Sequence, residues 1–314
     1  MLDQHRRPLR GSRGGPPLPS SRWRAVAELV RAPAALTVPG DSLAGAVAAG
    51  RPFGARTPLL GAASVCLYWA GMALNDFADR DADARERPER PIPSGRVRPG
   101  FALGLAAGLT GAGLALAAAA GGGRALRVAV PLAATVWAYD LRVKRHPVAG
   151  PVTMAAARGL DVLLGAGPGR LRAAAPAAGI VAGHTLVVSA LGRHETTGAG
   201  PRLLGPTLCA TAVTAGLAAR AAWRRDAVPR AGELRRRAVV LTALGSYAVP
   251  FAGRQLAAFS GRPQCLRRAV SAGVAGMLPL QAACLARSGA PAAGAALLLG
   301  HGTARHLFRK VTPA

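Results

Sequence analysis

Six of the fourteen carboxylates in this 314-residue chain lie within residues 76–89, directly after an apolar stretch. On a helix, Asp76, Asp79 and Asp83 share one face, whereas Asp81 points to the opposite side. Carboxylates this close repel one another unless a cation lies between them. Mg²⁺ is typically bound by such carboxylates together with water and substrate phosphates. The spacing therefore predicts Asp76, Asp79 and Asp83 as Mg²⁺ ligands, with Asn75 assisting.

The cluster follows an apolar stretch, which is where a lipid-tailed diphosphate would present its head group. Arginines follow it along the chain and are available for phosphate contacts; they are Arg85, Arg87, Arg90 and Arg96. The alternative is a solvated helix end in which acidic and basic residues form salt bridges. The position of the cluster and the shortage of acidic residues elsewhere favour the metal site.

The composition predicts a membrane protein. Hydrophobic residues make up 51% of the chain, charged residues only 17%, and the mean hydropathy is +0.25. The net charge of +26 would suit a nucleic-acid-binding protein. The basic residues lie instead at the ends of apolar stretches, as in 22–24, 80–98, 142–145 and 305–310, which is typical of cytoplasmic loops. We therefore expect a lipid bilayer as partner and no nucleic acid.

Nine apolar stretches approach the length of about 20 residues that a membrane-spanning helix needs. They are 25–49, 58–78, 101–123, 126–140, 150–167, 174–191, 203–222, 237–257 and 269–287, and a short tenth candidate is 290–304. The spacing of Gly104, Gly108 and Ala112 predicts a close approach between helices. Asp161 lies inside the fifth stretch, where a carboxylate indicates either a functional site or an ion pair with Arg158 three residues earlier.

Charge predicts the orientation in the cell membrane. Residues 1–24 are expected to form a disordered, basic cytoplasmic tail, and residues 25–308 a helical membrane domain. Alternation then places the loops 79–99, 141–149 and 192–202 on the cytoplasmic side. The loop 223–236 does not fit, because it is rich in arginine and yet falls on the outer side.

The pattern NDxxDxxxD, formed by Asn75, Asp76, Asp79 and Asp83, is followed by the string RPIPSG at 90–95. Together they resemble the UbiA-type membrane prenyltransferase superfamily, in a divergent EboC-like branch, over residues 25–300. The resemblance implies an all-α fold of about nine membrane helices around a central cavity. It also implies Mg²⁺-dependent transfer of a prenyl group from a prenyl diphosphate to an acceptor, which the resemblance does not identify.

Two further segments extend the resemblance. Residues 139–145 are similar to the YxxxLKR motif of the superfamily, with Val143 in place of leucine, which implies that Tyr139, Lys144 and Arg145 bind substrate. An ordinary basic loop is the alternative for this segment.

The second Asp-rich motif of the superfamily corresponds here to residues 192–198, which contain a single carboxylate, Glu195. The resemblance implies that Glu195 completes the catalytic site, and we expect Arg193 and Arg87 to bind substrate. Asp161 is also expected in the substrate site, because a carboxylate inside a membrane span is a candidate functional residue. The reduced motif leaves a second function open, that of a non-catalytic carrier or transport accessory for a prenylated or amphipathic metabolite.

Overall fold

The computed structural model describes residues 19–32, 38–51, 54–167, 170–220 and 231–311, and all regular structure in these ranges is helical. The helices are α1 (Pro19–Leu29), α2 (Val38–Ala48), α3 (Arg56–Glu86), α4 (Pro99–Ala138), α5 (Ala149–Ala166), α6 (Leu171–Gly192), α7 (Pro201–Arg220), α8 (Ala231–Ala258), α9 (Pro263–Arg287) and α10 (Pro291–Val311), and a π-helical turn, Tyr139–Val143, follows α4. The predicted all-α fold is confirmed.

Five helical segments of the described chain are long and apolar enough to cross a membrane, which makes it a multi-pass membrane protein. They are Arg56–Glu86, Pro99–Val143, Leu171–Gly192, Pro201–Arg220 and Pro263–Arg287. The helices α5 and α8 are also long, but charged residues lower their hydropathy: Arg158 and Asp161 in α5, and several arginines in α8. The tenth candidate stretch forms α10.

The first predicted span, 25–49, is wrong. Two helices of 11 residues each, α1 and α2, occupy the described part of this region. Each is about 16 Å long, which is roughly half of the hydrocarbon core. Because α1 begins at Pro19, helical structure also starts earlier than the predicted tail boundary at residue 24, and residues 1–18 of that tail lie outside the described residues.

The helix α4 is a hairpin of two helical arms that meet at Gly122. Gly122 has φ 59° and ψ −152°, a conformation that glycine adopts without steric cost. Trp137 donates a hydrogen bond from Nε1 to Oγ1 of Thr110 at 3.1 Å, although 27 residues separate them. A straight helix would place them about 40 Å apart. The two arms therefore run antiparallel and correspond to the predicted spans 101–123 and 126–140.

The short helix α2 packs directly against the backbone of α5. A Cβ atom on Gly45 would collide with the carbonyl of Val162, and one on Gly165 would collide with the backbone of Ser42. This close approach buries most of α2, including Asp41, in the interior of the bundle. By contrast, Cβ atoms on Gly104 and Gly108 would meet open space, so the close approach predicted at that spacing is wrong.

The helix α3 has 31 residues and is about 46 Å long, which exceeds the hydrocarbon thickness of roughly 30 Å. Its apolar first part packs against both arms of α4 and against α5. The last turns, which carry the acidic cluster, therefore extend to one surface of the membrane domain.

We predict that Gly45→Ala destabilises the protein by roughly 1–3 kcal/mol, because the added methyl group overlaps the α5 backbone. The expected result is a fall of roughly 2–4 °C in melting temperature for each kcal/mol, measured on the purified protein in detergent. Gly108→Ala is the matched control and should cause no loss of stability. Equal melting of both variants would contradict the close α2–α5 contact.

Candidate active site

Two of the predicted metal ligands, Asp76 and Asp83, are buried and share one cation. Each is 5% exposed. The Nη1 atom of Arg90 lies 2.7 Å from Oδ2 of Asp83 and 3.4 Å from Oδ1 of Asp76. Arg31 approaches the same oxygen of Asp76 at 3.4 Å and does so from a left-handed backbone conformation, φ 48°, that residues other than glycine rarely adopt. The structure therefore places positive charge between these two carboxylates.

The third predicted ligand, Asp79, has a different partner. Its Oδ2 atom lies 2.8 Å from Nζ of Lys144, which follows the π-helical turn. Asp81 is 81% exposed in its side chain and is paired with the neighbouring Arg80 at 3.7 Å. The prediction that Asp81 points away from the other three is confirmed. The acidic face is thus continuous, but Arg90 pairs with Asp76 and Asp83 whereas Lys144 pairs with Asp79.

The segment 192–198, which corresponds to the second Asp-rich motif, contacts the segment that carries Lys144. Arg193 donates hydrogen bonds from Nη1 to the carbonyl oxygen of Lys144 and from Nη2 to that of Arg145, both at 2.8 Å. Arg193 therefore fixes this segment through its backbone. The side chains of Arg145 and Arg87 are exposed at the same surface. Among the other predicted phosphate ligands, Arg96 instead binds Glu28 of α1, at 2.6 Å.

Asn75 joins the site through a residue that the sequence prediction did not include. Its Nδ2 atom donates a hydrogen bond to Oδ1 of Asp140 at 3.1 Å, and Asp140 is 5% exposed. Asp140 lies in the π-helical turn, a feature that frequently occurs at functional sites. Its position directly after Tyr139, in the motif that resembles YxxxLKR, was the signal that could have identified it.

A cavity of about 250 Å³ leads from these residues into the bundle. Its mouth is formed by Asn75, Tyr139, Asp140 and Arg31. Its walls come from α3, α4 and α5 and are largely apolar: Leu67, Gly71, Met72, Leu132, Val136, Met154 and Ala157. An apolar chain attached to a charged head group matches this arrangement, because the head would meet the cations while the chain enters the bundle.

The inner end of the cavity is polar. Oγ of Ser64 donates a hydrogen bond to Oδ1 of Asp161, and both residues line the cavity. Along α3, Ser64 lies 11 residues from Asn75, or about 16 Å. Of the two alternatives for Asp161, the ion pair with Arg158 is not formed, because Arg158 pairs with Asp41 of α2 at 2.9 Å. Asp161 is therefore brought into the cavity of the site but far from the acidic cluster.

The carboxylate of Asp41 also accepts a hydrogen bond from Nε2 of Gln281 at 2.7 Å. An ion pair inside a membrane domain is costly unless its members are well partnered. Arg90 was predicted as a phosphate contact but not as the partner of Asp76 and Asp83. Asp41 and Ser64 were not predicted at all. Their signal was weak, because a single carboxylate in α2 and a serine in α3 form no motif.

Glu195 lies in the loop between α6 and α7 and does not line the cavity. Partial burial raises the pKa of its carboxyl group, while the nearby positive charges of Arg267 and Arg87 lower that pKa and partly offset the effect of burial. Arg87 caps the end of α3, so Glu195 lies on the same surface as the acidic cluster. The structure places it beside arginines and outside the group of carboxylates that share Arg90.

The residues at the end of α3 fit a divalent cation in part. No group of three or more acidic, histidine or cysteine side chains in the described ranges is arranged to hold a metal ion. Asp76 and Asp83 nevertheless face a single nitrogen atom of Arg90, so hard oxygen donors already surround one positive charge. One or two carboxylates are what Mg²⁺ usually takes from a protein when phosphates supply further ligands. The pair therefore fits Mg²⁺ with a bound diphosphate, and the role of Asp79 in the metal site stays a prediction.

Comparison with known structures shows the same fold in several proteins. A structure described as digeranylgeranylglyceryl phosphate synthase in membranes matches with a TM-score of 0.60 and 16% identity over 86% of this chain and 99% of that one. An apo UbiA homologue from Aeropyrum pernix matches with a TM-score of 0.58 and 22% identity, over 80% and 96% of the two chains. A UbiA homologue from Archaeoglobus fulgidus, bound to DMAPP and Mg²⁺, matches with a TM-score of 0.54 and 16% identity, over 80% and 98%.

Comparison with characterised sequences gives shorter matches. Digeranylgeranylglyceryl phosphate synthase from Methanopyrus kandleri is 37% identical over 152 residues, which cover 47% of this chain and 54% of the relative. The 4-hydroxybenzoate octaprenyltransferase from Pseudomonas putida is 44% identical over 64 residues, or 20% and 22% of the two chains. The chain thus spans about half, or less, of the length of these relatives. The predicted EboC-like branch is not among these matches and stays a prediction.

One protein family matches most of the chain. The match covers residues 40–310, from α2 to α10, and includes the acidic end of α3, the π-helical turn and Glu195. It therefore contains both the cavity and the charged surface at its mouth. The chain belongs to the UbiA prenyltransferase family.

Proposed function

We propose that this protein transfers a prenyl group from an allylic prenyl diphosphate to an acceptor, with Mg²⁺ at the acidic end of α3. The observation that carries the proposal is the continuity of the site. One cavity with largely apolar walls leads to a mouth lined by Asp140 and Arg31, and Arg31 also pairs with Asp76 of the acidic cluster. We further propose that this surface is the cytoplasmic face of the cell membrane, because the basic loops follow the positive-inside rule there.

The names of the relatives support this substrate class. A homologous structure holds DMAPP and Mg²⁺, and another from the same organism holds GPP and Mg²⁺. Several relatives are named digeranylgeranylglyceryl phosphate synthase. An acceptor that carries a hydroxyl group on a prenylated glyceryl phosphate is therefore the first class to test. Because both of these homologous structures hold Mg²⁺, we propose Mg²⁺ as the cofactor.

In the proposed site, the apolar walls hold the prenyl chain and keep water from the allylic carbon. Mg²⁺, when bound by Asp76 and Asp83, would offset the negative charge that develops on the diphosphate. Lys144 and Arg90 lie beside these carboxylates, where they can donate hydrogen bonds to the phosphate oxygens.

The reaction would break the bond between the allylic carbon and the diphosphate oxygen, which keeps the electron pair. The hydroxyl oxygen of the acceptor would form the new bond to that carbon and release its proton to solvent at the mouth. Tyr139 and Asn75 line the mouth and would orient the two substrates there.

The remaining predicted residues have supporting roles in this proposal. Arg193 is a positioning residue, because it binds only the backbone of the segment that carries Lys144. Arg87 and Arg145 are exposed at the mouth, where they can attract the anionic substrate. Glu195, with Arg267 beside it, is proposed as the outer part of the charged site. Asp161 is proposed to contact the distal end of the bound chain.

We predict that Asp83→Asn weakens the Mg²⁺-dependent binding of an allylic prenyl diphosphate by on the order of 10²-fold, because it removes a ligand charge at nearly constant size. Asp81→Asn is the matched control, since its side chain is exposed. The control should change binding by about twofold or less, as surface substitutions stay within about 0.5 kcal/mol. The measurement is calorimetric titration of the purified protein, once with Mg²⁺ and once with EDTA.

Two results bear on the alternatives. If both variants bind equally well and EDTA has no effect, the metal site is wrong and the non-catalytic carrier is favoured. If Asp83→Asn melts at the same temperature as the unaltered protein but binds weakly, the loss belongs to the site and not to folding.

We also predict that Arg193→Gln loosens the segment around Lys144, because the two hydrogen bonds from its guanidinium to the carbonyl oxygens of Lys144 and Arg145 are lost or weakened. Amides of residues 139–148 should exchange hydrogen faster, and the KM for prenyl diphosphate should rise more than kcat falls. Arg142→Gln, an exposed neighbour, is the control. Unchanged exchange in Arg193→Gln would contradict its positioning role.

A further inference from the structure

A second groove lies at the end of the bundle opposite the acidic cluster, between α6, α7 and α9. Arg267, near the start of α9, lies beside Glu195 on the cluster side. Arg287, the last residue of α9, is 20 residues further on, which corresponds to about 30 Å along the helix. The groove is lined at its rim by Arg287 and by Arg220, the last residue of α7. It is therefore separate from the prenyl cavity.

The floor of this groove is apolar and open to the surroundings of the bundle. It is formed by Pro176, Gly179 and Ile180 of α6 and by Leu217 of α7, and its volume is about 540 Å³. A Cβ atom on Gly179 would meet no atom within 4 Å, so free space lies directly above that residue. Leu217 is 49% exposed although it is a large apolar side chain. Such a surface suits a hydrocarbon chain that lies along α6 and α7.

The rim carries positive charge that no carboxylate of the described chain neutralises. The Nη1 atom of Arg287 is buried and has no hydrogen-bond partner among the described residues. The nearby acidic residue, Glu233 of α8, is engaged by Arg236 at 2.6 Å and by Arg237 at 3.2 Å. Arg236 also points a guanidinium nitrogen at the carbonyl oxygen of Arg287, at 3.5 Å. A buried guanidinium nitrogen without a hydrogen-bond partner is costly in a membrane protein, and an anion could supply that partner.

We propose that the groove binds an anionic phospholipid, with its phosphate between Arg220 and Arg287 and one acyl chain along Gly179 and Leu217. Basic pockets between membrane helices are a known physical solution for binding anionic head groups. The apolar floor distinguishes a lipid from free phosphate, because an inorganic anion would leave the floor uncovered. The site would stabilise the contact between α6, α7 and α9 at this end.

The proposal also accounts for part of the sequence feature that did not fit the orientation rule. The loop 223–236 is rich in arginine. Its described part, 231–236, begins α8 next to this groove, on the surface opposite the acidic cluster. Arginines that bind anionic lipid are useful on either face of a membrane. Arg236 of this loop contacts the carbonyl oxygen of Arg287, so positive charge from the loop lies next to the proposed site.

The test is native mass spectrometry of the full-length chain in detergent, titrated with phosphatidylglycerol or with phosphatidylcholine that has the same acyl chains. At roughly 1 kcal/mol for each arginine near the phosphate, two arginines should give a preference of roughly 30-fold for phosphatidylglycerol. Arg287→Gln and Arg220→Gln should each reduce that preference roughly fivefold. Arg172→Gln is the matched control, because Arg172 is exposed on the same face but does not line the groove.

A variant without a charge change tests the floor of the groove. Gly179→Phe fills the open space, and it should weaken binding of both lipids while the melting temperature in detergent stays unchanged. Equal binding of the two lipids by the unaltered chain would overturn the proposal. So would an equal effect of Arg172→Gln and Arg287→Gln, or displacement of the lipid by millimolar inorganic phosphate, which would indicate a free-anion site.

Discussion

The acidic end of α3 can be buried only because cations from other segments neutralise it. Asp76 and Asp83 share the guanidinium of Arg90, and Asp79 is paired with Lys144 beyond the α4 hairpin. Removing one partner of a buried ion pair typically costs about 3–5 kcal/mol, because the other charge remains unpaired. These pairs therefore hold the loop after α3 and the π-helical turn against the same helix face. The mouth of the cavity is built by charge neutralisation more than by apolar contact.

The same charges suit an exchange of partners on binding. In the proposed site, Asp76 and Asp83 would hold Mg²⁺, and the guanidinium of Arg90 would then be free to donate hydrogen bonds to the phosphate oxygens of a substrate. Lys144 is in an equivalent position beside Asp79. At the opposite end of the cavity, the pair of Arg158 and Asp41 is fixed by the close packing of α2 on α5. The cavity thus lies between two charged groups, one accessible to substrate and one structural.

The acidic cluster and the helical class were predictable, because spacing along one helix and composition alone determine them. The span 25–49 was not, since hydropathy cannot distinguish a membrane-crossing helix from a short helix buried among others, such as α2. Contacts between residues distant in sequence could also not be predicted. Arg158 pairs across helices with Asp41 and not with Asp161, because the contact depends on glycines that let two backbones meet. Asp140 lies in the YxxxLKR-like motif, but its hydrogen bond to Asn75 joins residues 65 positions apart and could not be predicted from the motif.

The most direct measurement is a crystal structure of the protein with Mn²⁺ and a non-reactive allylic thiodiphosphate, in which anomalous scattering locates the metal. We predict a Mn²⁺ peak bound by the carboxylate oxygens of Asp76 and Asp83, because Mn²⁺ takes the same hard oxygen ligands as Mg²⁺. Arg90 should then have moved from the carboxylates to a phosphate oxygen. A bound diphosphate with Arg90 still between Asp76 and Asp83, and with no metal peak there, would contradict the account.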